Sequence, residues 1–285
     1  MINESVTSVK IDRFEGEAIS NTDDLLAIEE PLEIRLAFGP KDKRELLNVS
    51  ITMRTPGNDF ELAVGFLFTE GIIFNNAQLN TSALFTNTNK ISSTTNIIHV
   101  ELSENIEVDP AILKRNFYTT SACGVCGKTS IEAIFSTCKL TGASKEFFVP
   151  KEIILQLPDL LQKQQSLFNS TGGIHAAALF NIDGRLLQTR EDVGRHNALD
   201  KLIGSYFLSS ESDAIIPDES ILLLSGRASF ELLQKSAMAG IKIICAVGAP
   251  SSLAVETAKQ FGITLIGFLR GNRFNIYSNS QRIII

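Results

Sequence analysis

Cysteine is scarce in this chain. Four in 285 residues are too few for a disulfide scaffold. Runs of about 18 apolar residues are missing as well, so no helix is expected to cross a membrane. Met1 to Lys10 lacks the charged start and apolar stretch of a secretory leader. The expectation is a cytoplasmic protein whose thiols stay reduced. Neither a Walker-type run of glycines, lysine and serine nor a G-x-G-x-x-G occurs, which excludes an ordinary nucleotide hydrolase or dehydrogenase site. Positive charge is not in excess: a formal net charge of -6 argues against general nucleic-acid binding, although a local basic pocket can still receive phosphate.

What is present describes a globular protein, with 44% hydrophobic and 20% charged residues. A chain of 285 residues is long for one compact core, so two domains, or one with a large elaboration, are expected. Residues 1–118 read as β-rich, with short runs such as Leu32 to Phe38 and Leu47 to Arg54 between polar turns. One helix interrupts them after Thr55-Pro56-Gly57, with Asn58 or Asp59 as its N-cap and Gly71 at its end. Glu61 and Glu70 flank its apolar face and read as solvated structural residues. Residues 75–96, rich in Asn, Ser and Thr, read as surface connection.

Two of the cysteines stand three positions apart in Ser121-Ala122-Cys123-Gly124-Val125-Cys126-Gly127-Lys128. Glycines flank them, and Thr129 with Glu132 matches a capping box opening a helix over Ile131, Ile134, Phe135 and Cys138. A positive helix end and Lys128 favour thiolate over thiol, so Cys123 and Cys126 are expected to be reactive. A structural zinc site is the competing explanation, but it needs four ligands and the chain offers no second C-x-x-C and no H-x-x-x-H. A thioredoxin-like exchange site would place its pair early in a βαβ unit, whereas this one follows about 120 residues of mostly β pattern. Cys138 and Cys245 fall on apolar faces and read as inert core residues.

Beyond residue 148 the pattern turns to α/β. A helical segment covers Pro150 to Phe168, with Pro158 a threat to its continuity; a hairpin joins Ile174–Phe180 to Arg185–Arg190 through Asp183-Gly184; and residues 192–203 return to helical spacing. Strands at 221–224, 241–247 and 264–269 then alternate with helices at 229–240 and 251–262, the order of a covered parallel sheet. The division expected is therefore a β-rich domain over 1–118, a cysteine loop with its helix over 119–148, and an α/β domain over 149–285, in a mixed α/β (α+β overall) fold.

The parallel strands deliver three loops to one sheet edge, Ser225-Gly226-Arg227, Gly248 to Ser252, and Arg270-Gly271-Asn272-Arg273. Ligands of open α/β sheets bind at that edge, and Arg227, Arg270 and Arg273 are suited to bidentate phosphate contact. A phosphorylated or nucleotide-like ligand follows. His175 and His196 lie in glycine-flanked turns where a ligand can approach the backbone, although a lone histidine is more often structural. His99, in an alternating strand, reads as structural. The run Glu191 to Asn197 is more polar than capping by Asp192 explains.

Taken together, Thr55-Pro56-Gly57 through Glu70-Gly71-Ile72-Ile73, Ser121 to Lys128, Thr171 to Ala177, Arg190 to Lys201, Ser225 to Phe230, Ala246 to Ser252 and Phe268 to Arg273 resemble the FdhD/NarQ family, the sulfurtransferases required for active formate dehydrogenases. The resemblance implies a carrier of sulfane sulfur. Cys123 would accept it from a cysteine desulfurase as a persulfide, with Cys126 as partner, and pass it to bis(molybdopterin guanine dinucleotide) cofactor bound as substrate, ahead of delivery to the dehydrogenase apoenzyme. The family's cofactor-binding run falls on Phe268, Leu269, Arg270, Gly271, Asn272 and Arg273, and Ser225, Arg227, His175 and His196 are the further candidate contacts. The resemblance also implies a homodimer, no permanently bound metal, and a cytidine-deaminase-like C-terminal fold. A zinc deaminase carries H-x-E followed by P-C-x-x-C; here His175-Ala176-Ala177 lacks the glutamate and the cysteines lie upstream, which weakens deamination. A chaperone that binds the cofactor without sulfur chemistry is the second alternative.

Overall fold

The computed structural model describes residues 5–80, 96–106, 108, 146–209 and 216–285. Among the described residues, five strands precede residue 102: β1 (Val6–Glu15), β2 (Ala18–Ala27), β3 (Glu30–Phe38), β4 (Glu45–Arg54) and β5 (Ile97–Glu101). The first two form a separate antiparallel ribbon, and the others a sheet ordered β4-β3-β5. Helix α1 (Asp59–Thr69) follows β4 as expected. Asn58 occupies its N-cap in the left-handed region without a side-chain cap, while the Asp59 carboxylate accepts instead from Arg54, at 2.9 Å from Nη2. Residues 81–95, read as surface connection, lie outside the described residues, as do Cys123, Cys126, Cys138 and the helix expected after them.

The second half is built on a six-stranded sheet of order β12-β11-β10-β9-β7-β8. The strands are β7 (His175–Asn181), β8 (Leu186–Asp192), β9 (Ser220–Leu224), β10 (Ile243–Ala246), β11 (Thr264–Arg270) and β12 (Arg273–Ser278). Strands β9, β10 and β11 are parallel, the crossovers being α5 (Phe230–Met238) and α6 (Ser252–Gln260). The β7–β8 hairpin turns at Gly184, whose φ of 79° a side chain would resist. It lies antiparallel to β9. Strand β12 was not expected from the sequence: Arg270 to Arg273 is a tight turn into an antiparallel partner, and Phe274 and Ile276 continue the alternation that marks it.

Helix α2 (Lys151–Gln162) runs through Pro158 without a break. Ile154, Leu157 and Leu161 are buried along one side and hold it against the sheet despite the lost backbone donor. The single segment expected to Phe168 divides instead at Gln165, whose ψ of 76° leaves the helical region before the short α3 (Ser166–Thr171). Helix α4 (Arg195–Ser209) starts later and ends later than its expected span. A short parallel pair, β6 (Val149–Pro150) with β13 (Ile283–Ile284), ties the C-terminus down.

Both faces of the large sheet are covered, which is why its central strands read as continuous apolar runs. Alternate side chains divide between two cores. Leu222, Leu224, Ile244, Ala246 and Leu265 face the one that also contains Leu32, Ile34, Leu62 and Leu67 of the N-terminal half. Ile221, Leu223, Ile243, Cys245 and Ile266 face the one under α2. A full burial of each such side chain is worth about 1.5–3 kcal/mol. The Cys245 thiol is fully buried and pushed above the ordinary thiol range by that burial, in keeping with an inert core residue.

Helices α1 and α4 join the two halves at backbone contact. A Cβ on Gly65 would stand 1.9 Å from the carbonyl oxygen of Asp200, and one on Gly204 equally close to that of Glu61. Glycine at both crossing points is what permits the approach. Around it the polar groups are paired. Arg190 Nη2 donates to Glu61 at 2.7 Å, and Lys235 lies 2.9 Å from Asp200 and 3.5 Å from Glu70. Glu61 and Glu70 are therefore structural, but only partly solvated: each anchors a cation across this junction.

Candidate ligand-binding edge

The dense polar run after β8 has two destinations. One is inward. Asp192 is fully buried, and its carboxylate accepts from Gly194 N at 2.8 Å, Asn197 Nδ2 at 3.1 Å and Thr55 N at 3.1 Å, while Lys201 Nζ stands 2.7 Å away. Lys201 also donates to the Thr55 carbonyl at 2.8 Å, and Val193 N to the Thr55 hydroxyl at 3.1 Å. A buried carboxylate without such partners would be costly. Asp192 thus does more than bond the backbone at the entrance of α4: it fastens that entrance to the end of β4. Burial still pushes its carboxyl above the usual range, against the pull of Lys201.

The other destination is the edge where the parallel strands end. Ser225 N donates to the Ala176 carbonyl at 3.0 Å and the Ser225 hydroxyl accepts from Ala176 N at 2.8 Å, which locks the loop after β9 onto the start of β7. His175 is therefore set against Gly226: a Cβ there would meet the imidazole Nδ1 at 3.2 Å. The loops are laced in sequence across the edge. Gly248 N donates to the Gly226 carbonyl, and Phe268 N to the Gly248 carbonyl, each at 3.0 Å. A side chain at Gly248 would be tight against Arg227, whose backbone N would lie 3.1 Å from its Cβ. Phe268 holds a φ of 53°, unusual for a bulky residue, within β11 where its register with β12 shifts between Gly267 and Arg270.

His196, 8% exposed, places Nε2 3.3 Å from the Ser229 hydroxyl and 3.9 Å from Glu231. Burial first, then the charges of Lys235, Arg195 and His175, lowers its pKa to about 3. His175 is lowered by its burial and by Arg195 and Arg227, with Asp192 opposing. Both rings are consequently neutral near pH 7, each with one donor and one acceptor.

Of the residues expected at a site, the fold brings Ser225, Arg227, His175 and His196 into one group. Phe268 is linked to it through Gly248. Arg270, Gly271, Asn272 and Arg273 are exposed on the β11–β12 turn. Leu269 is fully buried in the core under α2, so only its backbone faces the edge. Cys123 and Cys126 lie outside the described residues. Arg227, Arg270 and Arg273 form no ion pair among the described residues, which leaves three cations at one edge without a carboxylate. Arg195 and Ser229 belong to this group and had no motif of their own; for Arg195 the signal was its place between Gly194 and His196 in the over-polar run. Unpaired arginines, glycines that admit close backbone approach and neutral imidazoles suit an anionic, hydrogen-bonding ligand such as a nucleotide phosphate. Among the described residues no group of three or more His, Cys, Asp or Glu is placed to hold a metal, and no helix is long and apolar enough to cross a membrane.

The chain is similar to known proteins along most of its length. A profile of the FdhD/NarQ family matches residues 27–284. A Streptomyces coelicolor protein named sulfur carrier protein FdhD is 45% identical over 278 residues, covering 97% of this chain and 95% of that protein. A Mycobacterium tuberculosis protein of the same name is 45% identical over 262 residues, covering 90% of this chain and 91% of its own. A crystal structure of a candidate formate dehydrogenase accessory protein from Desulfotalea psychrophila covers 98% of this chain and 99% of its own, with a TM-score of 0.71 at 24% identity, and shares the fold.

Proposed function

This chain belongs to the FdhD/NarQ family, and from that premise we propose that it is a sulfur carrier serving a formate dehydrogenase, with Cys123 as the sulfur-bearing residue. The observation that carries the proposal is the pair Cys123 and Cys126 in a chain 45% identical along nearly its whole length to a protein named as a sulfur carrier. A thiolate suits the task because it is both the nucleophile that takes sulfur and the leaving group when sulfur departs. Attack by the Cys123 thiolate on the outer sulfur of a donor persulfide, held by a cysteine desulfurase, forms a new S–S bond and returns the donor's thiolate. Attack by Cys126 on the Cys123 sulfur then forms a disulfide and expels the outer sulfur as sulfide; a thiol reductant restores the pair.

The receiving substrate is bis(molybdopterin guanine dinucleotide), seated on the edge formed by residues 225–227, 248 and 268–273. The support for that seat is chemical. Its arginines have no carboxylate partner among the described residues, its glycines allow approach to phosphate, and the chain has no motif for hydrolysing a nucleotide. A cytidine-deaminase-like lineage of the large sheet, association as a homodimer and a cytoplasmic location belong to the same proposal. In a strain lacking the natural gene, Cys123→Ala is expected to abolish formate dehydrogenase activity while the protein still accumulates. Full activity with Cys123→Ala would instead favour a chaperone that only holds the cofactor.

A further inference from the structure

Among the described residues, arginines that this fold shields from water are paired, with one exception. Arg35 donates to Glu33 at 2.8 Å, Arg54 to Asp59 at 2.9 Å, Arg190 to Glu61 at 2.7 Å, Arg44 to the Leu102 carbonyl at 2.7 Å and Arg282 to the Gly262 carbonyl at 2.8 Å. Arg195, half-buried at the head of the 15-residue helix α4, has neither a hydrogen bond nor an ion pair from its side chain among the described residues. Its Nε is buried with no acceptor among the described residues. That N–H forfeits hydration without compensation, which native proteins tolerate where a ligand or ion supplies the missing acceptor.

Its surroundings define that ligand. Arg195 stands close enough to His175 and His196 for its charge to act on both rings. Arg227 acts on His175 in the same way, and the backbone of Gly226 packs on that ring. The nearby carboxylate, Asp192, is consumed by Lys201, Gly194, Asn197 and Thr55. Glu231 lies 3.9 Å from His196, but among the described residues neither Arg195 nor Arg227 is ion-paired with it or with any other carboxylate. Successive strands of a sheet are about 4.8 Å apart, and β9 is separated from β11 by β10, so this group is set apart from the Arg270–Arg273 turn by about two strand spacings.

The geometry points to Arg195 as a ligand-contacting residue that, together with Arg227, receives a phosphate-type oxyanion at a subsite distinct from the 268–273 turn. The inference rests on the sheet edge being the seat of a guanylated substrate, and it adds a second anchoring point to that seat.

Guanosine diphosphate, with guanosine as the phosphate-free control, probes it by calorimetric titration of the full chain. Arg195→Gln is expected to weaken the diphosphate by about ten-fold or more and to leave guanosine unchanged. Arg195→Lys, which keeps the charge but not the planar fork, should fall between. On the wild-type chain, the diphosphate should also protect Arg195 from phenylglyoxal, read by peptide mass mapping, which makes the test independent of whether the variant folds. Unchanged affinity in Arg195→Gln, absence of protection, or no diphosphate binding by the wild type would each overturn the assignment. Persulfide formation at Cys123 is followed in the same proteins. Its absence from the wild type would remove the sulfur-carrier proposal and leave the Arg195 result standing, and its persistence in Arg195→Gln with lost diphosphate affinity is the expected pattern.

Discussion

At the scale of single residues, the histidines at the edge work as neutral groups. His196 is held at a pKa of about 3 by burial and by the cations around it, against an ordinary value near 6.5. The unfolded chain therefore binds a proton at this residue between those two values and the folded chain does not. Stability from this residue is complete above pH 6.5 and is lost as pH falls toward 3. Urea midpoints measured from pH 8 down to pH 5 should decline less in His196→Gln than in the wild type; parallel declines would contradict the account. The sequence marked His175 and His196 by their glycine neighbours, but it could not give their protonation, which depends on burial and on Arg227 after β9 and Lys235 in α5, both distant in the chain. It likewise marked Glu61 and Glu70 as structural while hiding their cations, since Arg190 and Lys235 reach them only once the helices have packed.

At the scale of elements, the continuous apolar runs of β9, β10 and β11, alternating with helices, were enough to read a covered parallel sheet, because both its faces are buried. Strand β12 escaped notice because Arg270-Gly271-Asn272-Arg273 has the composition of any polar loop, and only the pairing of Arg270 with Arg273 shows it to be a hairpin turn. The crossing of α1 and α4 was equally invisible. Gly65 and Gly204 sit inside helices, where glycine is unfavourable by about 1 kcal/mol relative to alanine, and their reason lies on the opposite helix. Gly204→Ala gains that propensity yet forces a Cβ to 1.9 Å from the Glu61 carbonyl oxygen, so the helices must separate. A net loss of about 3 kcal/mol is expected, at the upper end for overpacked cores. Chemical denaturation measures it, and a stabilised Gly204→Ala protein would refute the close crossing.

At the scale of the whole molecule, the N-terminal sheet, α1 and the large sheet share one core, and the Asp192–Lys201 pair binds the end of β4 to the entrance of α4. The edge that we assign to the guanylated substrate is thus held by both halves of the chain, through Thr55 on one side and the loops after β9, β10 and β11 on the other. Spacing and residue type made the sheet edge legible, and a long ordered set of matching segments made the family legible. The link between that edge and the thiol pair is chemical, resting on what a persulfide and a phosphate-bearing substrate each require. The most direct test is mass spectrometry of the intact protein after incubation with a cysteine desulfurase and cysteine. A gain of one sulfur atom, reversed by a thiol reductant and mapped to the peptide containing Cys123, is the predicted result, whereas an unchanged mass, or sulfur carried elsewhere with Cys123 unmodified, would contradict the account.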